Sequence, residues 1–263
     1  MKLRGRVATR PIAESTHWYD RNGKPCYTVI GANGKERNTT LRDARKENFV
    51  PSVTTIIGMA AKPQLENWKI DQALLSALTL PRLTGEPEDE FMARAKMDAK
   101  EQTYAAADRG TQIHAVIESG FSGENRAGFN YAPYLAVKKI LDELFPNADP
   151  WIAEDSFAHI NGFGGKIDLY NNQGIFVDFK TKDNLEGKDP KKLVYDEHGM
   201  QLSAYAEGMG FSNPKRVSIF IDRNDVGLAL YHIWDEESHQ RHLGMFSSLL
   251  AYWQLFKKYK PEL

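Results

Sequence analysis

At 263 residues with 41% hydrophobic content, the chain can bury one sizeable core, which excludes intrinsic disorder and a disulfide-stapled miniprotein. Its 34 basic and 35 acidic residues leave a formal net charge of −1, which excludes a histone-like binder held by bulk positive charge. That balance still allows a local acidic centre within a basic groove.

A single cysteine, Cys26, rules out an intramolecular disulfide and argues against a cysteine-ligated zinc or iron–sulfur centre. No stretch reaches the ~18 uninterrupted apolar residues that a membrane helix needs, and Met1 to Ser15 has no apolar signal-peptide core. The expectation is a cytoplasmic protein with no membrane contact.

In chain order, turn signals at Asp20-Arg21-Asn22-Gly23 and Ala32-Asn33-Gly34 flank the strand-like Tyr27 to Ile30 and predict a hairpin-rich lobe over residues 1–50. Pro51-Ser52 then opens a helical turn over Val53 to Met59. The next helix is expected over Gln64 to Leu78, ended by Pro81, and a longer one over Pro87 to Ser119, whose weak point is Gly110. Another spans Tyr134 to Leu144 before Pro146.

The texture then changes to short alternating runs. Strands are expected at Trp151 to His159, Gly164 to Tyr170, Ile175 to Lys180, Val217 to Ile221 and Leu228 to Trp234, with helices at Met200 to Met209 and Glu236 to Tyr259. The order is helices followed by βββαββα. That predicts an α/β or α+β fold in which a helical insertion (51–148) precedes a core (150–260), forming one compact unit with the lobe.

The segment from Gly164 to Lys180 reads as a β-hairpin. Alternation places Phe176, Asp178 and Lys180 on one face of its second strand. On the first strand it groups Lys166, Asp168 and Tyr170 against Ile167 and Leu169. A two-residue loop would set Asp168 opposite Val177. A three-residue loop, Asn172-Gln173-Gly174 with a left-handed glycine, sets it opposite Asp178, and this register is expected.

Two carboxylates at roughly 5 Å between Cβ atoms repel unless a cation or proton lies between them, and hard oxygen ligands suit Mg²⁺ or Mn²⁺. A lone Asp-x-Lys is more often a solvated surface pair. Here apolar runs on both sides predict a buried hairpin. Gln201 and Tyr205 lie one helical turn apart on one face, as do His114 and Glu118.

Together, Gly165-x-x-Asp168, Asp178-x-Lys180, Gly110-Thr111-x-x-His114 and Gln201-x-x-x-Tyr205 resemble the RecB-like branch of the PD-(D/E)xK nucleases. That branch includes the RecB nuclease domain, CRISPR-adaptation nucleases and the mitochondrial genome maintenance exonuclease. Pro51 to Thr55 followed by Lys62-Pro63 is similar to stand-alone members carried by bacteriophages.

The resemblance implies a restriction-endonuclease-like core, a central mixed sheet flanked by helices. It implies that His114, Asp168, Asp178 and the backbone carbonyl of Phe179 bind Mg²⁺ or Mn²⁺. Lys180 would orient or activate the attacking water, with Gln201 and Tyr205 directed at the water or the scissile phosphate. Unlike the CRISPR-associated members, the chain lacks the cysteines for an iron–sulfur cluster, and none is expected.

The implied activity is a DNA exonuclease acting on ends or single strands and leaving 5′-phosphates, in recombination, repair or phage DNA metabolism. Alternatives are a structure-specific endonuclease or nickase with the same centre, or an inactive DNA-binding accessory protein. DNA is the expected partner, with a single-strand annealing or single-strand binding protein as a second. Glu118 and Glu154 are candidate supporting carboxylates.

Arg109, Thr111, Lys182, Lys188, Lys191 and Lys192 are candidate DNA contacts, with Arg37, Arg42, Arg45 and Lys46 nearer the N terminus. Charge runs are usually solvated faces, so these rest on their position around the hairpin. Trp18, Tyr19 and Trp68 are candidates for stacking on unpaired bases, with core packing the favoured role for Trp68.

Overall fold

The structure, a computed structural model, describes residues 17–124 and 126–262. The part of the expected N-terminal lobe before His17 lies outside the described residues. In chain order the elements are β1 (Trp18–Tyr19), β2 (Thr28–Ile30), β3 (Glu36–Asn38), α1 (Leu41–Glu47), β4 (Val50–Pro51), α2 (Val53–Ile57), α3 (Pro63–Thr79), α4 (Glu88–Phe121) and α5 (Ala132–Leu144). They continue with β5 (Ile152–His159), β6 (Phe163–Tyr170), β7 (Ile175–Lys182), α6 (Asp196–Gly208), β8 (Lys215–Asp222), β9 (Ala229–Trp234) and α7 (Glu237–Lys257).

Near the N terminus, β2 and β3 pair antiparallel around the Asn33-Gly34 turn, and β1 pairs with β4. The short helix α1 was not expected from periodicity. It is nucleated by a capping box in which the Thr40 side chain and Asp43 satisfy each other's backbone N–H groups. Arg37 grips the same Asp43 with two bonds of 2.7 and 2.8 Å.

Five strands form a mixed sheet in the order β5-β6-β7-β8-β9. Only β7 and β8 run parallel within it, since α6 carries the chain back across the sheet between them. One face packs Phe163, Ile167, Tyr170 and Phe176 against Met200, Tyr205, Phe246 and Trp253 of α6 and α7. The other packs Leu169, Val177, Phe179 and Ile219 against Ile113 and Ile117 of α4 and Leu141 of α5. The fold is a mixed α/β arrangement of a five-stranded sheet flanked by helices.

Gly110 does not interrupt α4, which runs unbroken for 34 residues. Helix α6 starts at Asp196, a turn before the expected Met200, with Tyr195 as its extended N-cap. Trp18 and Tyr19 are not stacking platforms. Trp18 is buried edge-on against Trp253, and the Tyr19 hydroxyl bonds that of Tyr27. Among the described residues no helix is long and apolar enough to cross a membrane.

The β6–β7 hairpin turns as the three-residue loop requires, with Leu169 paired to Val177 and Tyr170 to Phe176. Gly174 takes φ +78°, and Asn171 closes the loop through its backbone N–H to the Ile175 carbonyl and its Oδ1 to the Gln173 and Ile175 N–H groups. A Cβ at position 174 would also lie 2.8 Å from the Phe211 ring. Gly174→Ala is therefore expected to lower stability by about 1–2 kcal/mol or more in urea unfolding, with an unchanged m-value.

Candidate active site

Strict alternation fails at Asp168. Ile167 packs on the α6–α7 side and Leu169 on the α4–α5 side, while Tyr170 returns to the α6–α7 side. The expectation that Ile167 and Leu169 share a face is thereby corrected. The cause is visible in both neighbouring strands. Across β5, the register pairs Ala153 with Leu169 and Asp155 with Ile167 but omits Glu154 and Asp168. Glu154 adopts φ +58°, a left-handed conformation uncommon for a side-chain-bearing residue within a strand.

On the other side, pairing with β7 ends at Leu169 and Val177. One residue further in the same register Asp168 and Asp178 face each other, but the ladder is replaced. Asp168 Oδ2 accepts the backbone N–H of Phe179 at 2.8 Å. The carboxylate thus occupies a place that a strand carbonyl would otherwise fill, and the two strands part. Since the N–H and C=O of one strand residue point to the same side, the Phe179 carbonyl faces this opening too.

Asp178 is 1% exposed and lies on the α6 side. Its Oδ1 accepts Lys180 Nζ at 3.0 Å and Gln201 Nε2 at 2.8 Å. Gln201 Oε1 accepts Lys180 Nζ at 3.1 Å, and Gln201 Nε2 also donates to the Tyr205 hydroxyl at 3.0 Å. These four side chains form one connected network. Tyr205 can lie this close because position 165 is glycine, where a Cβ would stand 2.7 Å from its ring.

The second oxygen of Asp178 lies 2.8 Å from Lys180 Nζ but outside hydrogen-bond geometry, so it has no hydrogen-bond partner among the described residues. Burial pushes the Asp178 carboxyl up to about 6 despite the neighbouring Lys180, and the charge of Asp168 adds to the rise. His114 reaches the opening from α4, on the opposite side. Its Nδ1 is 3.8 Å from Asp168 Oδ1, too long for a hydrogen bond, and its ring meets that of Phe179 edge-on at 5.8 Å.

Among the described residues no group of three or more His, Cys, Asp or Glu side chains is drawn together tightly enough to hold a metal ion. The oxygen donors at the opening are the Asp178 Oδ2, which has no hydrogen bond but lies 2.8 Å from Lys180 Nζ, and the Asp168 carboxylate, with the Phe179 carbonyl turned to the same side by the strand geometry. Such a set fits Mg²⁺, which keeps several of its own waters and takes one or two carboxylates, better than a cation needing a closed protein cage.

The remaining candidates are less concentrated. Glu154 pairs with Lys166. Glu118 makes no contact with the site carboxylates among the described residues, and its charge acts on Arg126. The Thr111 hydroxyl bonds back to the Ala107 carbonyl at 3.2 Å, and Lys188 Nζ bonds the Asp183 carbonyl at 2.9 Å. Lys191 and Lys192 are exposed on a 3-10 turn at Pro190–Lys192.

Lys182 lies over the Tyr195 ring at 5.1 Å, and burial together with Lys180 pushes its amine down. Arg45 and Lys46 bond the Lys257 carbonyl and Glu47, while Arg42 is exposed. Arg109 lines a cleft beside the site with Trp68.

One positioning residue had no sequence signal. Arg216, fully buried on β8, bonds Ser203 of α6 at 2.8 Å and also Ser238, His242 and the Asp235 carbonyl. It ties α6 to α7 and so fixes the helix that presents Gln201. A lone arginine at the start of an apolar run gives no hint of this.

No protein-family model and no curated protein matches the sequence. Among solved structures the chain is similar to SSO0001, with 18% identity and a TM-score of 0.25 over 44% of this chain and 55% of that one. The match thus spans about half the length of that structure, and a likeness at this level carries no functional argument.

The raised Asp178 carboxyl sets a pH dependence. Its ionised form is disfavoured in the fold, so the penalty is absent below about pH 4 and complete above about pH 6. In metal-free buffer, Asp178→Asn is expected to match the parent's stability near pH 4. By pH 7 it should exceed the parent by on the order of 2–3 kcal/mol in urea unfolding, and added Mg²⁺ should narrow that gap.

Proposed function

We propose that this chain is a divalent-metal-dependent deoxyribonuclease of the PD-(D/E)xK type, built on a restriction-endonuclease-like core and acting as an exonuclease on DNA ends or single strands. The observation that carries this reading is the meeting of Asp168 and Asp178 where β6 and β7 part, with Lys180 bonded to Asp178 on the same strand. Asp178 is buried, with Asp168 and Lys180 part-buried beside it, which gathers three ionisable groups between apolar strands. Such a cluster carries a desolvation cost that an apolar replacement avoids.

Asp168, Asp178 and the Phe179 carbonyl would hold Mg²⁺ or Mn²⁺, with His114 as the fourth donor. When bound, the cation supplies charge neutralisation at the non-bridging oxygens of the scissile phosphate. Lys180 Nζ, held by Asp178 and Gln201, would orient the attacking water and stabilise the charge that develops as it attacks in line. Gln201 fixes Lys180 and Asp178 at once, and Tyr205 fixes Gln201. The bond to the 3′ oxygen breaks, leaving the phosphate on the 5′ side, as the family resemblance implies.

The test is a time course on end-labelled single- and double-stranded oligonucleotides and on closed circular DNA, with Mg²⁺, Mn²⁺ or EDTA. Linear DNA is expected to be degraded only with metal, and circles to survive. Asp178→Ala and Lys180→Ala are expected to abolish degradation while retaining DNA in a shift assay, and Gln201→Ala to lose about 10- to 100-fold in rate. Degradation by both variants at the parent rate would remove the proposed centre. Efficient cutting of circles would replace the exonuclease with an endonuclease or nickase, and an inactive parent would leave an accessory DNA binder.

A further inference from the structure

Helices α3 and α4 run beside each other and leave an open cleft of about 220 Å³ against the C-terminal ends of β7 and β8. Trp68 and Gln72 line it from α3, Gln102 and Arg109 from α4, and Arg223 and Asn224 from the turn after β8. Its volume is below the ~300–1,000 Å³ of pockets for drug-sized ligands and is of the scale of one nucleobase.

The lining chemistry is specific. Trp68, half-buried, offers a ring for stacking. The amides of Gln72, Gln102 and Asn224 both donate and accept, as the edges of nucleobases do. Arg223 is held in place by Asp183 through two bonds of 2.8 and 2.5 Å. Arg109 is exposed and forms no ion pair among the described residues, although the Asp183 carboxylate, which also lines the cleft, acts on it electrostatically.

The cleft is joined to the candidate active site by backbone. Position 110 packs directly on Thr181, with the Thr181 Oγ1 2.9 Å from where a Cβ would be, and Arg223 N–H donates to the Lys182 carbonyl at 2.8 Å. From Arg109, α4 rises only about 7.5 Å to His114. Thr181 and His114 both lie on the α4 side of β7, so a strand whose base enters the cleft approaches Asp168 from the side on which His114 stands.

We propose that this cleft is a subsite for one unpaired nucleotide of the substrate strand, its base stacked on Trp68 and its phosphate on Arg109. The inference rests on the nuclease reading and deepens it, since a base that is paired and stacked in a duplex cannot enter. Single-stranded or frayed DNA is then the preferred substrate. A free mononucleotide has the same chemistry, so the test must separate the two sources.

The test measures equilibrium binding by the full chain in EDTA, where no turnover occurs. The probes are a fluorescein-labelled deoxythymidine oligonucleotide, a blunt duplex of equal length, and thymidine monophosphate as competitor. Trp68→Ala is expected to weaken oligonucleotide binding by about 5- to 100-fold, with Trp68→Phe close to the parent, duplex binding unchanged, and Arg109→Gln also weakened. Competition by the mononucleotide only at high excess would fit a strand subsite.

Parent-like binding by Trp68→Ala overturns the proposal. So does an equal loss on the duplex, a Phe variant as weak as the Ala variant, or saturation by the mononucleotide with no binding of the oligonucleotide. The two readings fail separately. Trp68-dependent binding by a parent that hydrolyses nothing with Mg²⁺ would remove the nuclease and leave the subsite. Hydrolysis by a parent whose Trp68→Ala variant binds normally would remove the subsite and leave the nuclease.

Discussion

The hydrogen bond from the Phe179 backbone N–H to the Asp168 carboxylate governs the geometry of the candidate site. Phe179 is buried against α4 and α5, so an unmatched N–H there would carry a penalty of about 1–3 kcal/mol. By answering it with a carboxylate rather than a strand carbonyl, the chain keeps the donor satisfied and still opens the sheet. That opening lets groups from both faces meet. Lys180 and Gln201 arrive from the α6 side and His114 from the α4 side. A continuous ladder would have kept them apart.

Keeping Asp178 in the core is unfavourable in itself, as its raised carboxyl shows. Two donors to one oxygen offset part of that cost, and the other oxygen lies 2.8 Å from the Lys180 ammonium without a hydrogen bond of its own. The arrangement holds only if α6 keeps its place. Arg216 bonds Ser203, while His242 and Arg241 of α7 both reach Asp196 at the start of α6. Rigidity on this side contrasts with the strained Glu154 on β5, where the backbone adopts an unfavourable conformation opposite Asp168.

Much of the fold was legible in the sequence because it follows local periodicity. The five strands, the long helices and their proline stops lie close to where alternation and helical spacing put them. The hairpin register was legible too, because only a three-residue loop with a left-handed glycine brings Asp168 opposite Asp178. Helix α1 escaped, since seven residues give little periodic signal and its capping box sits in a polar stretch.

Neighbours within about twenty positions thus set the long helices, the five strands of the sheet, the hairpin register and the spacing of Asp168, Asp178 and Lys180. Tertiary structure alone decided the break in alternation at Asp168 and the approach of His114 from the far face. It also decided the anchoring of α6 by Arg216, and which aromatics are core, as Trp18 and Tyr19 are, and which line a cleft, as Trp68 does. The reason is physical: side-chain period reports which face a regular element turns to its surroundings. Where an element becomes irregular, or where two distant elements meet, the outcome depends on packing and hydrogen-bond satisfaction across the whole core.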